Sequence, residues 1–232
     1  MFNNQSHYGS MAQGFMSKVY GWMCLGLATT ASVMFYLAPE MNPSIIKTIH
    51  TNFLFLIGLF VVQFGILMYM MSNYARLSYT TMGVLFVAFC ALQGITLAPI
   101  LYVYTTSSVF YVFAIAAAMF ASMAVYGTVT NADLSSMGNI LFMGLVGLII
   151  ANLINMFMQN AAFDMVIASF GVGIFAMLTA YDVQNLKKYS HMVLASPEDS
   201  GKFALMGAIS LYMNLINIFL YLLRLFGDKR RD

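Results

Sequence analysis

Asp182 is the residue of this sequence whose type and position best suit chemistry. It lies in TAYDVQNLKKYS (Thr179–Ser190), directly after a run from Ala161 to Leu178 that is almost wholly apolar apart from Asp164. If that helix continues to Leu186, Lys187 and Lys188 mark the membrane interface by snorkelling. Asp182 then sits roughly 7–8 Å inside, at 1.5 Å per residue. A lone carboxylate at such depth has to be paired, protonated or in a wet cavity. Its candidate partners are Arg76, at the end of an earlier apolar run, and a polar stripe near the C-terminus. The plainer alternative is an interfacial charge beside the two lysines.

The stripe lies in ALMGAISLYMNLINIFLYLLRLFG. Gly207, Ser210, Asn214, Asn217, Tyr221 and Arg224 recur at spacings of three and four, which puts them on one helical face. Two readings stand: a packing seam between helices, or a buried central helix lining a polar route. A lipid-facing stripe is disfavoured, because each Asn or Arg on hydrocarbon costs on the order of 2–3 kcal/mol or more. Asn152, Asn155 and Gln159 form a second polar face, read as interhelical glue, while Gly144, Gly147 and Ala151 offer close helix contacts. Gln63 and Gln93 are single amides inside apolar runs and read as hydrogen-bond clasps.

Other chemistries lack their residues. His7, His50 and His191 all fall outside the middles of the apolar runs, so a membrane zinc hydrolase has no converging ligands. Lys202 only opens the last run, which disfavours a retinal protein. No glycine-rich phosphate loop occurs, and no mid-run His or Lys stands ready as the base of a nucleophile pair. Cys24 and Cys90 follow neither a disulfide nor a metal pattern. The chain is therefore not expected to be an enzyme, and no cofactor is expected. One carboxylate among amides suits a weak site for a hard cation such as calcium, with Asp182 as the ligand.

The elements that position these residues follow from composition. Of 232 residues, 61% are hydrophobic and 8% charged, against roughly 25% charged in a soluble domain. The chain is an integral membrane protein by this measure, with the lipid bilayer as its solvent. Uncharged windows cut it into seven spans near 19–37, 53–72, 81–103, 109–128, 138–157, 163–186 and 203–226. Lipid-facing backbone must satisfy its own hydrogen bonds, so the fold class is an all-α membrane bundle. Residues 1–18 read as a polar tail without a removable signal peptide; 19–227 form the transmembrane domain and 228–232 a basic tail. With the amino terminus inside, Lys18, Arg76, Lys187, Lys188 and Lys202 face Lys47, Arg224, Lys229, Arg230 and Arg231. That tie leaves orientation open. Basic residues occur only at window edges, so nucleic acid is not an expected partner.

Four ordered segments, GITLAPI, YGTVTNADLSSMGNILFMGLVGLIIANLIN, TAYDVQNLKKY and ISLYMNLINIFLYLLRLFG, cover roughly Gly94 to Gly227. Together they resemble the signatures of the transmembrane Bax-inhibitor-motif family. The resemblance implies six helices in two three-helix layers around a central seventh, with the amino terminus cytoplasmic. The short tail and the lack of sorting signals suit a bacterial inner membrane, with the endoplasmic reticulum as the alternative. The resemblance also implies a pH-sensitive calcium leak, latched near the cytoplasmic side by two aspartates. Asp182 matches the first. The second is replaced by Asn214 in LYMNLIN, and an acidic residue often found in the second helix is replaced by Gln63. Asn214 can hydrogen-bond Asp182 but cannot titrate, so a weakened pH latch and a weak calcium site are expected. The gate set is thus Asp182, Asn214, Arg76, Asn217 and Ser210. Counted from Lys202, Asn214 lies roughly 18 Å deep, about 10 Å deeper than Asp182, so contact requires tilt or a different helix start. Some bacterial relatives modulate a membrane-bound ATP-dependent protease, which gives an alternative role through the 1–18 tail.

Overall fold

The computed structural model describes residues 2–38, 41, 42, 52–193 and 197–230, without the side chains of 2–13, 53, 191–193, 197 and 198. Among the described residues there are eight α-helices and no strand: α1 (Phe2–Tyr36), α2 (Phe53–Ser72), α3 (Tyr79–Leu97), α4 (Ile100–Val103), α5 (Thr106–Val129), α6 (Gly138–Met158), α7 (Ala161–Val193) and α8 (Pro197–Phe226). A 3-10 turn, Leu134–Met137, leads into α6. Seven segments are long and apolar enough to cross a membrane: Gly14–Tyr36, Leu54–Ser72, Tyr79–Val103, Thr106–Val129, Leu134–Met158, Ala161–Ser190 and Asp199–Phe226. This is an all-α, multi-pass membrane protein.

Two compact units divide the chain. The first contains Met1–Thr105, Ser190–Ile209 and Lys229–Asp232; the second contains Thr106–Tyr189 and Ser210–Asp228. In the first unit α1 packs on α3. The Trp22 indole donates to the Tyr79 hydroxyl at 2.8 Å, and the Thr30 hydroxyl donates to the Cys90 carbonyl at 2.9 Å. Gly94 permits that approach, since a Cβ there would lie 2.7 Å from the Thr30 carbonyl oxygen. The α1 helix begins within the segment expected to be a polar tail, and Phe15 is buried, stacked 5.6 Å from Phe203 of α8. Gln63 of α2 donates to the Thr96 hydroxyl of α3 at 2.9 Å, a clasp between two helices. Pro99 cannot donate to the α3 ladder; α3 stops at Leu97 and the single turn α4 follows.

In the second unit Gly127 of α5 lies so close to the Ala180 carbonyl of α7 that a Cβ would collide with backbone. Small residues at such crossings let membrane helices approach. The α6–α7 turn is tight: Gln159 takes a left-handed φ of 50°, and the Asn155 side-chain oxygen accepts from Asn160 N at 3.1 Å. Asn160 in turn caps α7 by accepting from Phe163 N at 3.0 Å. This turn places Asp164 in the first turn of α7, where the helix dipole favours a carboxylate. Only 11% of an 18-residue apolar window in the Leu134–Met158 span is buried, against 67% of such a window in the Asp199–Phe226 span. The polar stripe therefore belongs to the most buried of the seven spans, and most of α6 is exposed.

Candidate ion-pathway site

Asp182 reaches α8. Its Oδ2 accepts a hydrogen bond from the Ser210 hydroxyl at 2.6 Å and another from the Asn214 amide at 2.8 Å. Every fully buried side-chain N or O atom among the described residues has a hydrogen-bond partner. Oδ1 of Asp182 has no such partner, so it is not fully buried. Helical periodicity splits the rest of the motif away from this face. Gln184 accepts from Leu134 N at 2.9 Å and donates to the Ala132 carbonyl at 2.8 Å, while the Lys187 ammonium donates to the Thr128 carbonyl at 2.9 Å. The polar end of α7 thus has two tasks: Gln184 and Lys187 fasten the α5–α6 connection, and Asp182 fastens α8.

Asp182 and Asn214 touch despite the depth difference counted from the lysines. Lys202 is buried rather than interfacial, and α7 continues past Lys187 to Val193. Counted from these helix ends, Asp182 lies eleven residues before Val193, against thirteen for Ser210 and seventeen for Asn214 after Pro197, so Ser210 is nearly level with Asp182 and Asn214 reaches it from roughly 9 Å further along α8. Two other expected members have local partners of their own. Asn217 donates to the Met213 carbonyl of its own helix at 2.8 Å. Arg76 lies exposed in the turn after α2, where its N–H donates to the Asn73 carbonyl at 2.9 Å. Within its own unit, Asp182 is held by the two α8 donors, Ser210 and Asn214.

Past Asn214 the α7–α8 seam continues through Tyr221. Its ring stacks on Phe175 at 5.9 Å and fills the space above Gly171, where a Cβ would lie 2.7 Å from three ring atoms. At the far end stands a cluster that sequence reasoning did not assemble. The Arg224 guanidinium donates to the Asn152 side-chain oxygen at 2.8 Å and lies 3.5 Å from Asp164 Oδ1. Asn152 donates to the Tyr221 hydroxyl at 3.2 Å, and Asn155 to Asp164 Oδ1 at 3.4 Å. A signal was present: Asp164 and Asp182 are eighteen residues apart, five helical turns, and therefore share one face of α7.

Among the described residues no three His, Cys, Asp or Glu side chains gather as metal ligands. Outside the spans, the Ser135 hydroxyl and amide hold the Asp133 carboxyl below its ordinary range, with Lys188 contributing. Burial, with the Asp199 charge, pushes the Tyr74 phenol above its usual value. The family model described as "Inhibitor of apoptosis-promoting Bax1" matches residues 12–231. The chain belongs to this family. Within it, the chain is 38% identical over 219 residues to inner membrane protein YbhL of Escherichia coli (strain K12), covering 94% of this chain and 93% of that protein. An uncharacterized protein of Borreliella burgdorferi is 39% identical over 218 residues, covering 94% and 93%. A third relative, an uncharacterized protein of Deinococcus radiodurans, is 37% identical over 217 residues, covering 93% and 90%. In this Bax inhibitor-like chain, the polar contacts between α7 and α8 lie within the matched region.

Proposed function

We propose that the protein is a pH-sensitive cation leak channel, with calcium as the transported ion and Asp182 as the gate. The observation that carries this reading is the Asp182 carboxylate, held through one oxygen by Ser210 and Asn214 while its other oxygen has no protein partner. Hydrogen bonds to an ionised acceptor contribute about 1.5–3 kcal/mol, against about 0.5–1.5 for neutral pairs. Protonation weakens both contacts at once, and α7 and α8 separate more readily. Calcium takes six to eight oxygen ligands; one carboxylate, a hydroxyl and an amide suit passage, not storage. Asn214 cannot titrate, so the latch carries one proton's worth of control. By analogy with the E. coli relative, we place the protein in a bacterial inner membrane; a cytoplasmic amino terminus is what the family resemblance implies.

The competing role, modulation of a membrane-bound protease without ion flux, would act through residues 1–18. The backbone of that segment is helical from Phe2 and continuous with the first span, which makes it a poor handle for an unfolding machine. The channel reading is tested with purified protein in liposomes loaded with a calcium indicator. Protein-dependent calcium entry that survives deletion of residues 2–13 is the expected result. Entry no faster than in empty liposomes, from folded protein, would remove the channel reading and leave partner binding.

A further inference from the structure

The α7–α8 seam has two ends. Asp182 closes one; eighteen residues away, roughly 27 Å along α7 at 1.5 Å per residue, Asp164 stands at the other. That separation is close to the roughly 30 Å of a bilayer's hydrocarbon core, so the two clusters face opposite sides of the membrane. Resting on the channel reading above, we infer that Arg224, held by Asp164 and Asn152, is the residue that controls cation entry at the seam end opposite Asp182.

Three observations place it there. Arg224 is the last position of the α8 stripe that carries Ser210, Asn214 and Tyr221, so its guanidinium belongs to the same face as the gate. It is fixed rather than free: Nη1 lies 2.8 Å from the Asn152 oxygen and 3.5 Å from Asp164 Oδ1, and the guanidinium carbon is 5.3 Å from the centre of the Tyr221 ring. Both charged side chains remain 40% exposed, so an ion arriving at this end meets them. The Asn152 amide also holds the Tyr221 hydroxyl, which joins the charged cluster to the aromatic ring closing the middle of the seam.

A guanidinium keeps its charge at any physiological pH. It therefore acts as a constant electrostatic barrier to cations, offset by the Asp164 carboxylate, while the switchable step stays with Asp182. The sign of each charge change follows. Arg224→Gln leaves an unmatched carboxylate at the mouth of the seam and draws cations in. Asp164→Asn leaves an unmatched guanidinium and repels them. A cluster that merely clasps three helices makes no such distinction, because loss of either partner loosens it equally.

The experiment is calcium entry into liposomes of one phospholipid, comparing the unaltered protein with R224Q, D164N, R224K and the double variant D164N/R224Q. Expected are entry raised about tenfold in R224Q, at the low end of what focused charge does to local ion concentration, and entry lowered several-fold in D164N. R224K should stay near the parent, and the double variant should return toward it because the net charge is restored. Raising salt from 0.01 to 0.15 M shortens the screening length from about 30 to about 8 Å and should compress these differences. Thermal unfolding of each variant in detergent separates lost fold from lost charge. R224Q and D164N moving entry in the same direction, or differences insensitive to salt, would overturn the inference while leaving Asp182 as gate. Absence of entry in the parent and in Asp182→Asn alike would remove the channel reading, and this inference with it.

Discussion

At residue 182 the charge on one carboxylate sets how strongly α7 is tied to α8. Ser210 and Asn214 both donate to the same oxygen, so a single proton changes two contacts. Replacing Asn214 with aspartate would set two carboxylates within hydrogen-bond reach, and such pairs titrate as a coupled unit. The Asn214→Asp variant should therefore show a steeper dependence of calcium entry on pH, its slope moving from about one proton toward two. An unchanged slope would mean that residue 214 does not share the proton of residue 182. At this scale the sequence was partly legible. Asp182, Ser210 and Asn214 stood out because polar groups inside apolar runs demand partners. Asp164 did not, since an acid near the start of a helix is common and explains itself. Arg76 was a candidate partner by charge alone, because nothing in one sequence says which helix end meets which.

Helix spacing decides whether those contacts form. Gly127 brings α5 against the backbone of α7 near Ala180, and no side chain there can move aside. Gly147 of α6, in contrast, has nothing within 4 Å of where a Cβ would be. Gly127→Ala should cost about 1–3 kcal/mol, as overpacking does, and lower the unfolding temperature in detergent. Gly147→Ala should be neutral or stabilising by up to about 1 kcal/mol, because alanine favours the helix. Equal effects of the two substitutions would argue against the close α5–α7 crossing. The sequence presented both glycines alike; only the three-dimensional neighbour distinguishes them. Helix ends were similarly hidden. Lys187 and Lys202 looked like interface markers, yet one donates to a carbonyl in the last turn of α5 and the other is buried.

Across the whole molecule, composition was the most legible feature, because 61% hydrophobic and 8% charged residues leave no way to cover a water-facing surface. Seven spans followed from that pattern and are present in the structure. An odd number of crossings puts residues 14 and 226 on opposite sides of the bilayer. Reporter domains fused before residue 14 and after residue 226 should therefore report opposite compartments, and a shared compartment would contradict the seven-span topology. Orientation was not legible, since the basic residues divide evenly between the two sides.

The most direct test of the gate is calcium entry into liposomes from pH 5 to 8, for the unaltered protein and for Asp182→Asn. Asp133, held below its ordinary range by Ser135, stays ionised throughout that window. A free imidazole titrates near pH 6.5, so a variant with His7, His50 and His191 all changed to glutamine serves as the control. The account predicts entry that rises as pH falls in the parent and in the histidine-free control. In Asp182→Asn it predicts a flat profile, about tenfold above the parent at pH 8, as expected when roughly 1.4 kcal/mol of closed-state stabilisation is lost. A pH response that survives in Asp182→Asn, or that vanishes with the histidines, would contradict Asp182 as the gate.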